Sequence, residues 1–130
     1  MFEYKTTIKM YDVDAAGRLF FANQLKLVHE AFETFLESRD FKLIDLLEKS
    51  PYLLPVIQTS TSFLQPLHLS DSIRILLELG TQGKTSITLV HKIFKEDNTL
   101  AGKGFIKHVC IQKKSGKAVP LPEELLILFK

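Results

Sequence analysis

At 130 residues, 45% hydrophobic and 25% charged, the chain has the length and balance of one globular domain, residues 1–130. A formal net charge of +2 argues against a protein that neutralises nucleic-acid phosphates through a concentrated basic face. The single cysteine, Cys110, rules out an intramolecular disulfide, and no segment approaches the roughly 20 apolar residues of a membrane span, so a cytoplasmic chain with neither nucleic acid nor membrane as partner is expected.

Residues 2–10 alternate, with Phe2, Tyr4, Thr6, Ile8 and Met10 on one side and Glu3, Lys5, Thr7 and Lys9 on the other, the pattern of a half-buried strand. A turn-like stretch from Asp12 to Gly17 follows. Phe21, Leu25, Val28, Phe32 and Phe35 then recur at steps of three and four, which predicts a helix over about 23–38 with that face against a sheet. Asn23 is its candidate N-cap, with a start one or two residues earlier as the alternative. A second helical stretch spans about 41–49 and is closed by Pro51. Strands are expected over about 55–64, 72–79, 85–94 and 100–112, with tight turns at Gln82-Gly83 and Glu96-Asp97-Asn98. Gly102 and Gly104 point to a bulge or a close backbone approach. The tail from Leu121 to Phe129 reads as a short helix. One long helix beside a run of antiparallel strands is an α+β architecture.

The stretch with chemical content is Asp12-Val13-Asp14-Ala15-Ala16-Gly17-Arg18-Leu19-Phe20-Phe21-Ala22-Asn23. It sets a carboxylate in a loop of small residues just ahead of a helix N-terminus, whose free amides and dipole favour negative charge. A carboxylate to attack or to activate water, next to donors for a developing oxyanion, suits acyl transfer. On these residues alone, a turn or capping aspartate remains the commoner explanation.

The segment resembles the active-site signature of the 4-hydroxybenzoyl-CoA thioesterase family: Asp-x-Asp-x-x-Gly, a hydrophobic residue, two aromatics and an Asn opening the central helix. The matching positions are Asp12, Asp14, Gly17, Leu19, Phe20, Phe21 and Asn23. The resemblance implies a hotdog fold, an antiparallel sheet wrapped around one long central helix, and hydrolysis of an acyl-CoA substrate without a cofactor. It implies that Asp14 is the catalytic carboxylate, as nucleophile or as general base, and that the backbone amide of Phe21 is the oxyanion donor. Gly17 would lie against the thioester, with Asp12 as the alternative, more structural carboxylate. Family members are dimers or tetramers with active sites at subunit boundaries, so a homo-oligomer is expected. Further stretches, among them Leu54-Pro55-Val56-Ile57, Ser62 to His68 and Lys107 to Ile111, are similar to the 1,4-dihydroxy-2-naphthoyl-CoA hydrolases of phylloquinone and menaquinone synthesis. A broad short- or medium-chain acyl-CoA or acyl-carrier-protein thioesterase is the rival among enzymes. A non-catalytic acyl-CoA binding module is the rival from another class. Position 18 departs from the family, with Arg in place of an aliphatic residue; Arg18 either faces solvent or reaches a coenzyme A phosphate.

The remaining polar residues carry weaker expectations. His29 on the helix and Thr61 on a strand are candidate substrate contacts, each set against a plain surface role. His91 is in phase with Ile87, Leu89 and Ile93, which suggests a hydrogen-bonded, partly buried imidazole. The four histidines lack metal-ligand spacing, so no metal is expected. Cys110 in an apolar strand reads as an inert thiol. Lys113, Lys114 and Lys117 read as a solvated turn, with a phosphate contact as the alternative.

Overall fold

Alternation carries the first strand, β1 (Phe2–Thr7), only as far as Thr7. In the computed structural model, which describes residues 1–129, the chain then bends at the buried Ile8 into a 3-10 turn over Met10–Asp12. The bend has a local cause. The Asp12 carboxylate accepts the Lys9 N–H at 3.0 Å, and the Asp12 N–H donates to Lys9 O at 2.9 Å. Met10 and Tyr11 are left exposed instead of continuing the strand.

The long helix α1 (Phe21–Ser38) begins two residues before Asn23. It buries Leu27, Val28, Ala31, Phe32, Phe35 and Leu36, so the inward stripe is centred slightly to one side of the predicted one and Leu25 sits at its margin. It stops in a Schellman turn. Asp40 takes the left-handed conformation at φ 58°, its N–H donates to Glu37 O, and the Phe41 N–H donates to Leu36 O, both at 3.0 Å. A short helix α2 (Leu43–Glu48) and strand β2 (Tyr52–Leu53) lead into β3 (Val56–Phe63). Then come β4 (Ser72–Gln82), β5 (Ser86–Lys95), β6 (Leu100–Val109), β7 (Ile111–Gln112) and a final short helix α3 (Glu123–Leu128).

The main sheet is antiparallel throughout, in the order β1-β4-β5-β6-β3, and β2 pairs with β7 in a small second sheet. Ile73, Ile75 and Leu77 of β4 and Ile87, Leu89 and Ile93 of β5 turn their side chains inward. They form one apolar core with the buried stripe of α1. Burying a side chain of this size stabilises by about 1.5–3 kcal/mol, so the helix and sheet hold each other in place. This sheet wrapped around one helix is the hotdog fold.

Two glycines let β3 and α1 close on β6. A Cβ at Gly104 would collide with the backbone of Ser60 and Thr61, and one at Gly102 would come within 2.7 Å of Gln24 Nε2. The close approach expected at these positions is therefore real, and it makes room for a buried polar chain. Gln24 Nε2 donates to Thr61 Oγ1 at 2.7 Å and to Ser62 O at 3.1 Å, and Thr61 Oγ1 lies 3.0 Å from His91 Nε2. His91 is 0% exposed and its Nδ1 has no partner. Burial pushes its pKa down to about 4, so the ring is neutral in the folded chain.

A neutral buried histidine makes stability fall in acid. Between pH 6.5 and about 4 the unfolded chain binds a proton that folded His91 refuses, so stability declines as pH falls through that window and is constant in this respect above it. The shift corresponds to ~3 kcal/mol by pH 4. Denaturant titrations from pH 7 to pH 4 are expected to show this loss in the wild type and a flatter profile in His91→Gln. Parallel profiles would remove His91 as the cause.

Candidate active site

Asp14 opens the loop between the 3-10 turn and α1. Its N–H donates to Arg18 O at 2.8 Å, and the Gly17 N–H donates to Asp14 O at 3.0 Å. One carboxylate oxygen, Oδ1, accepts the N–H groups of Ala16 (2.8 Å) and Arg18 (3.2 Å). The other oxygen is left free on an exposed side chain. Gly17 closes the loop at φ +77°, and a Cβ there would meet nothing within 4 Å, so glycine is favoured by backbone conformation and not by crowding. The loop lies against the β3–β4 connection through Leu69 N–H donating to Gly17 O at 2.9 Å and Leu19 N–H donating to Leu67 O at 2.7 Å.

Asp12 has the opposite environment. It is 1% exposed, with Oδ1 2.9 Å from Lys26 Nζ and Oδ2 accepting the Lys9 N–H. The carboxylate raises the pKa of Lys26 through that hydrogen bond. The Asp12 carbonyl accepts the Phe20 N–H and Asn23 Nδ2, each at 3.0 Å. Asn23 thus ties the loop to the first turn of α1 and does not cap it. The residue in the N-cap position is Phe20, which has no capping oxygen, and no side chain caps the helix. The amide of Phe21 therefore opens the helix among donors that lack intrahelical acceptors.

A cleft of about 340 Å³ adjoins this end, lined by Arg18, Leu19, Phe21, Gln24 and the segment from Phe63 to Leu67. The Phe21 ring is 65% exposed and packs on Phe20 at 4.8 Å between centroids. Of the candidate residues, Asp14, Gly17, Arg18 and Phe21 share one loop and helix start. Thr61 stands beneath them with its hydroxyl committed to Gln24 and His91. His29 lies two turns further along α1, about 12 Å along the axis. Its Nδ1 is 3.2 Å from Glu33 Oε1, and it lines a different cavity. Lys113 Nζ bonds to Leu47 O at the end of α2. Cys110 is fully buried, and burial raises its thiol pKa. Among the described residues, no three His, Cys, Asp or Glu side chains cluster to hold a metal ion, and no helix is long and apolar enough to cross a membrane.

Gln24 escaped the sequence reading, although it carried a signal. It falls in phase with Val28, Ala31 and Phe35 on the buried stripe, where a polar residue needs partners.

Removing the Asp12 side chain would leave the Lys9 N–H without its acceptor and Lys26 without its anion. Asp12→Ala is expected to cost about 3 kcal/mol in a urea titration. Lys26→Met is expected to cost about 1 kcal/mol or less, because the lysine end of the pair is half-exposed. Equal losses would mean that the ion pair, and not the backbone bond, holds the turn.

The thioesterase-like superfamily model matches residues 8–129. A 1,4-dihydroxy-2-naphthoyl-CoA hydrolase of Microcystis aeruginosa is 34% identical over 122 residues, 94% of this chain and 88% of its own. Among solved structures, a 1,4-dihydroxy-2-naphthoyl-CoA thioesterase from Synechocystis superposes with a TM-score of 0.94 at 26% identity, covering 98% of this chain and 94% of that one. A gentisyl-coenzyme A thioesterase gives 0.85 at 27% identity, with 95% and 98% covered. A family match over nearly the whole chain, a close relative of almost equal length and a shared fold agree: the chain belongs to the thioesterase-like superfamily.

Proposed function

We propose that this protein hydrolyses the thioester of an aromatic acyl-coenzyme A, of the 1,4-dihydroxy-2-naphthoyl type that its relatives are named for, with release of the acid and the free coenzyme A thiol. The observation that carries this reading is the pairing of Asp14 with the uncapped start of α1 across the Gly17 loop. Loop amides hold Asp14 Oδ1 and so aim Oδ2 outward. The thioester carbonyl lies with its oxygen toward the Phe21 N–H. Asp14 either attacks the carbonyl carbon, giving an acyl-enzyme that water then hydrolyses, or takes a proton from the water that attacks. In both routes negative charge collects on the carbonyl oxygen, the helix start stabilises it, and the C–S bond breaks as the tetrahedral intermediate collapses. Arg18, exposed at the rim of the cleft, is the cation placed to meet a coenzyme A phosphate.

The working form is a homo-oligomer built on a dimer through β3. This edge strand bonds only to β6, and it exposes Val56, Ile57 and Phe63, followed by Leu64. An open apolar strand edge invites pairing. The occupant that fits it is a second copy, because the two-fold axis of a symmetric dimer pairs a strand with its own copy in antiparallel fashion. A single-domain cytoplasmic enzyme with one buried thiol is consistent with this setting.

Thiol release from a panel of naphthoyl, benzoyl and straight-chain acyl-CoA substrates tests the activity. Asp14→Asn keeps an oxygen for the loop amides and is expected to lose about a thousandfold in kcat. Near-normal turnover in that variant would sink the role of Asp14. A preference for straight chains would sink the aromatic substrate, and binding without thiol release would favour a binding module. Light scattering is expected to give a dimer or a higher even state. Ile57→Lys should shift it toward monomer with a parallel loss of activity, and a wild-type monomer would overturn the assembly.

A further inference from the structure

A second cavity, of about 310 Å³, opens between α1, α2 and the strand ends around β2, β6 and β7. Its walls include Phe32, Leu46, Leu54 and Ile111, and among the described residues its only polar side chains are His29 and His108. His108 is 3% exposed, with Nδ1 3.1 Å from Leu54 O. A carbonyl oxygen can only accept, so Nδ1 carries the proton of that bond and Nε2 carries a lone pair. Burial lowers the pKa of the ring, against the opposing effect of the Leu54 bond and with a smaller contribution from His29, and so favours the neutral form. Among the described residues, Nε2 forms no hydrogen bond. The Phe32 ring packs on His108 at 4.9 Å and on His29 at 5.9 Å, which gives the cavity a flat aromatic wall.

An apolar slot with one acceptor on its wall selects for a particular occupant. A flat ring fills the slot, and a hydroxyl on that ring satisfies Nε2. An alkyl chain or a bare ring leaves the acceptor unpaired. We propose that this cavity holds the aromatic part of the acyl group and that His108 Nε2 accepts a hydrogen bond from a ring hydroxyl remote from the thioester. A hydroxyl ortho to the thioester bonds internally to the carbonyl, so it is the remote one that has a proton to give. The proposal rests on the aryl-CoA hydrolase reading and adds the residue that sets its specificity.

The cavity lies too far along α1 to serve the Phe21 amide of its own copy, about 12 Å from His29 to Phe21 along the axis. The antiparallel pairing of β3 with its copy resolves the distance. It sets the Leu54–Pro55 end of one strand beside the Phe63–Leu64 end of the other. The cleft at Phe21 is walled by the second end and the cavity at His108 by the first. One copy thus supplies carboxylate and amide, and its partner supplies the ring site.

The test compares 4-hydroxy-2-naphthoyl-CoA with 2-naphthoyl-CoA, using acetyl-CoA as a substrate without a ring. Wild type is expected to favour the hydroxylated substrate at least tenfold in kcat/KM. His108→Asn keeps a side-chain N–H for Leu54 O but is too short to place an acceptor where Nε2 stands, and it is expected to bring the ratio close to one by slowing only the hydroxylated substrate. Leu54→Trp, at a half-buried wall position, fills the cavity and is expected to slow both naphthoyl substrates about equally, and far more than acetyl-CoA, which has no ring to place. A ratio preserved in His108→Asn, or naphthoyl rates untouched by Leu54→Trp, would overturn the proposal. Calorimetry with free 4-hydroxy-2-naphthoate and 2-naphthoate separates the two readings. A hydroxyl preference in binding that His108→Asn abolishes supports the ring site even if no thioester is cleaved. Hydrolysis of both naphthoyl substrates at equal rates overturns the His108 role and leaves the hydrolase intact.

Discussion

The buried carboxylate of Asp12 is the constraint on which the site depends. An ion removed from water is tolerated only when its oxygens are matched by donors. Here a backbone N–H and a lysine supply them, and Lys26 keeps part of its ammonium in solvent while it also sits 4.6 Å from the centre of the Tyr11 ring. The same residue offers its carbonyl to Phe20 and Asn23. Strand end, Asp14 loop and helix start therefore meet at one amino acid. The position of Asp14 relative to the Phe21 amide follows from that junction, because only the short loop closed by Gly17 separates them. Asp12 is thus the structural member of the two carboxylates, and Asp14, two residues on, is the one with a free oxygen.

The helix start has been left chemically open. Ser, Thr, Asp or Asn in place of Phe20 would cap α1 and stabilise it by about 1 kcal/mol. Such a cap would accept the N–H of Ala22 or Asn23 and set a polar oxygen beside the Phe21 amide that the proposed oxyanion needs. Fixing the helix then falls to other bonds. Asn23 ties its first turn to the loop, Gln24 ties it to β3, and the buried stripe from Leu27 to Leu36 anchors the rest. Gln24 stands directly behind the cleft, so the Gln24–Thr61–His91 chain sets how the helix start sits over β3. The unpaired Nδ1 of His91 is a cost of that arrangement, borne in the core and away from the reacting groups.

Much of this was legible in the residue order, and the rest was hidden for identifiable reasons. Period-two alternation gave β1, β4 and β5, and the three-four spacing gave α1, because both patterns come directly from which side chains meet the core. The loop motif from Asp12 to Asn23 pointed to the candidate site, since a carboxylate, a glycine and a helix start fall close together in the chain. The role of Asn23 was misread because its bond partner is a carbonyl eleven residues back, and an asparagine near a helix start looks like a cap. The Schellman turn was invisible because Asp40 takes the place where glycine would advertise it. The hydroxyl of Thr61 and the ring of His108 depend on contacts 37 and 54 residues away, with Gln24 and Leu54, and no local pattern encodes those.

The edge strand β3 joins these separate facts. Within one chain it looks wasteful: eight residues long, paired on one side, with apolar groups facing water. Its two ends border the two cavities that the proposed reaction needs, and they are too far apart to serve one small substrate in a single copy. In the proposed dimer, a two-fold axis near the middle of the strand exchanges those ends. The pairing that covers the exposed edge is then the same pairing that brings the carboxylate of one copy to the ring site of the other. In that proposed dimer the strand pairing is part of the active-site geometry, and the apolar character of β3 gains a catalytic reason as well as a stabilising one.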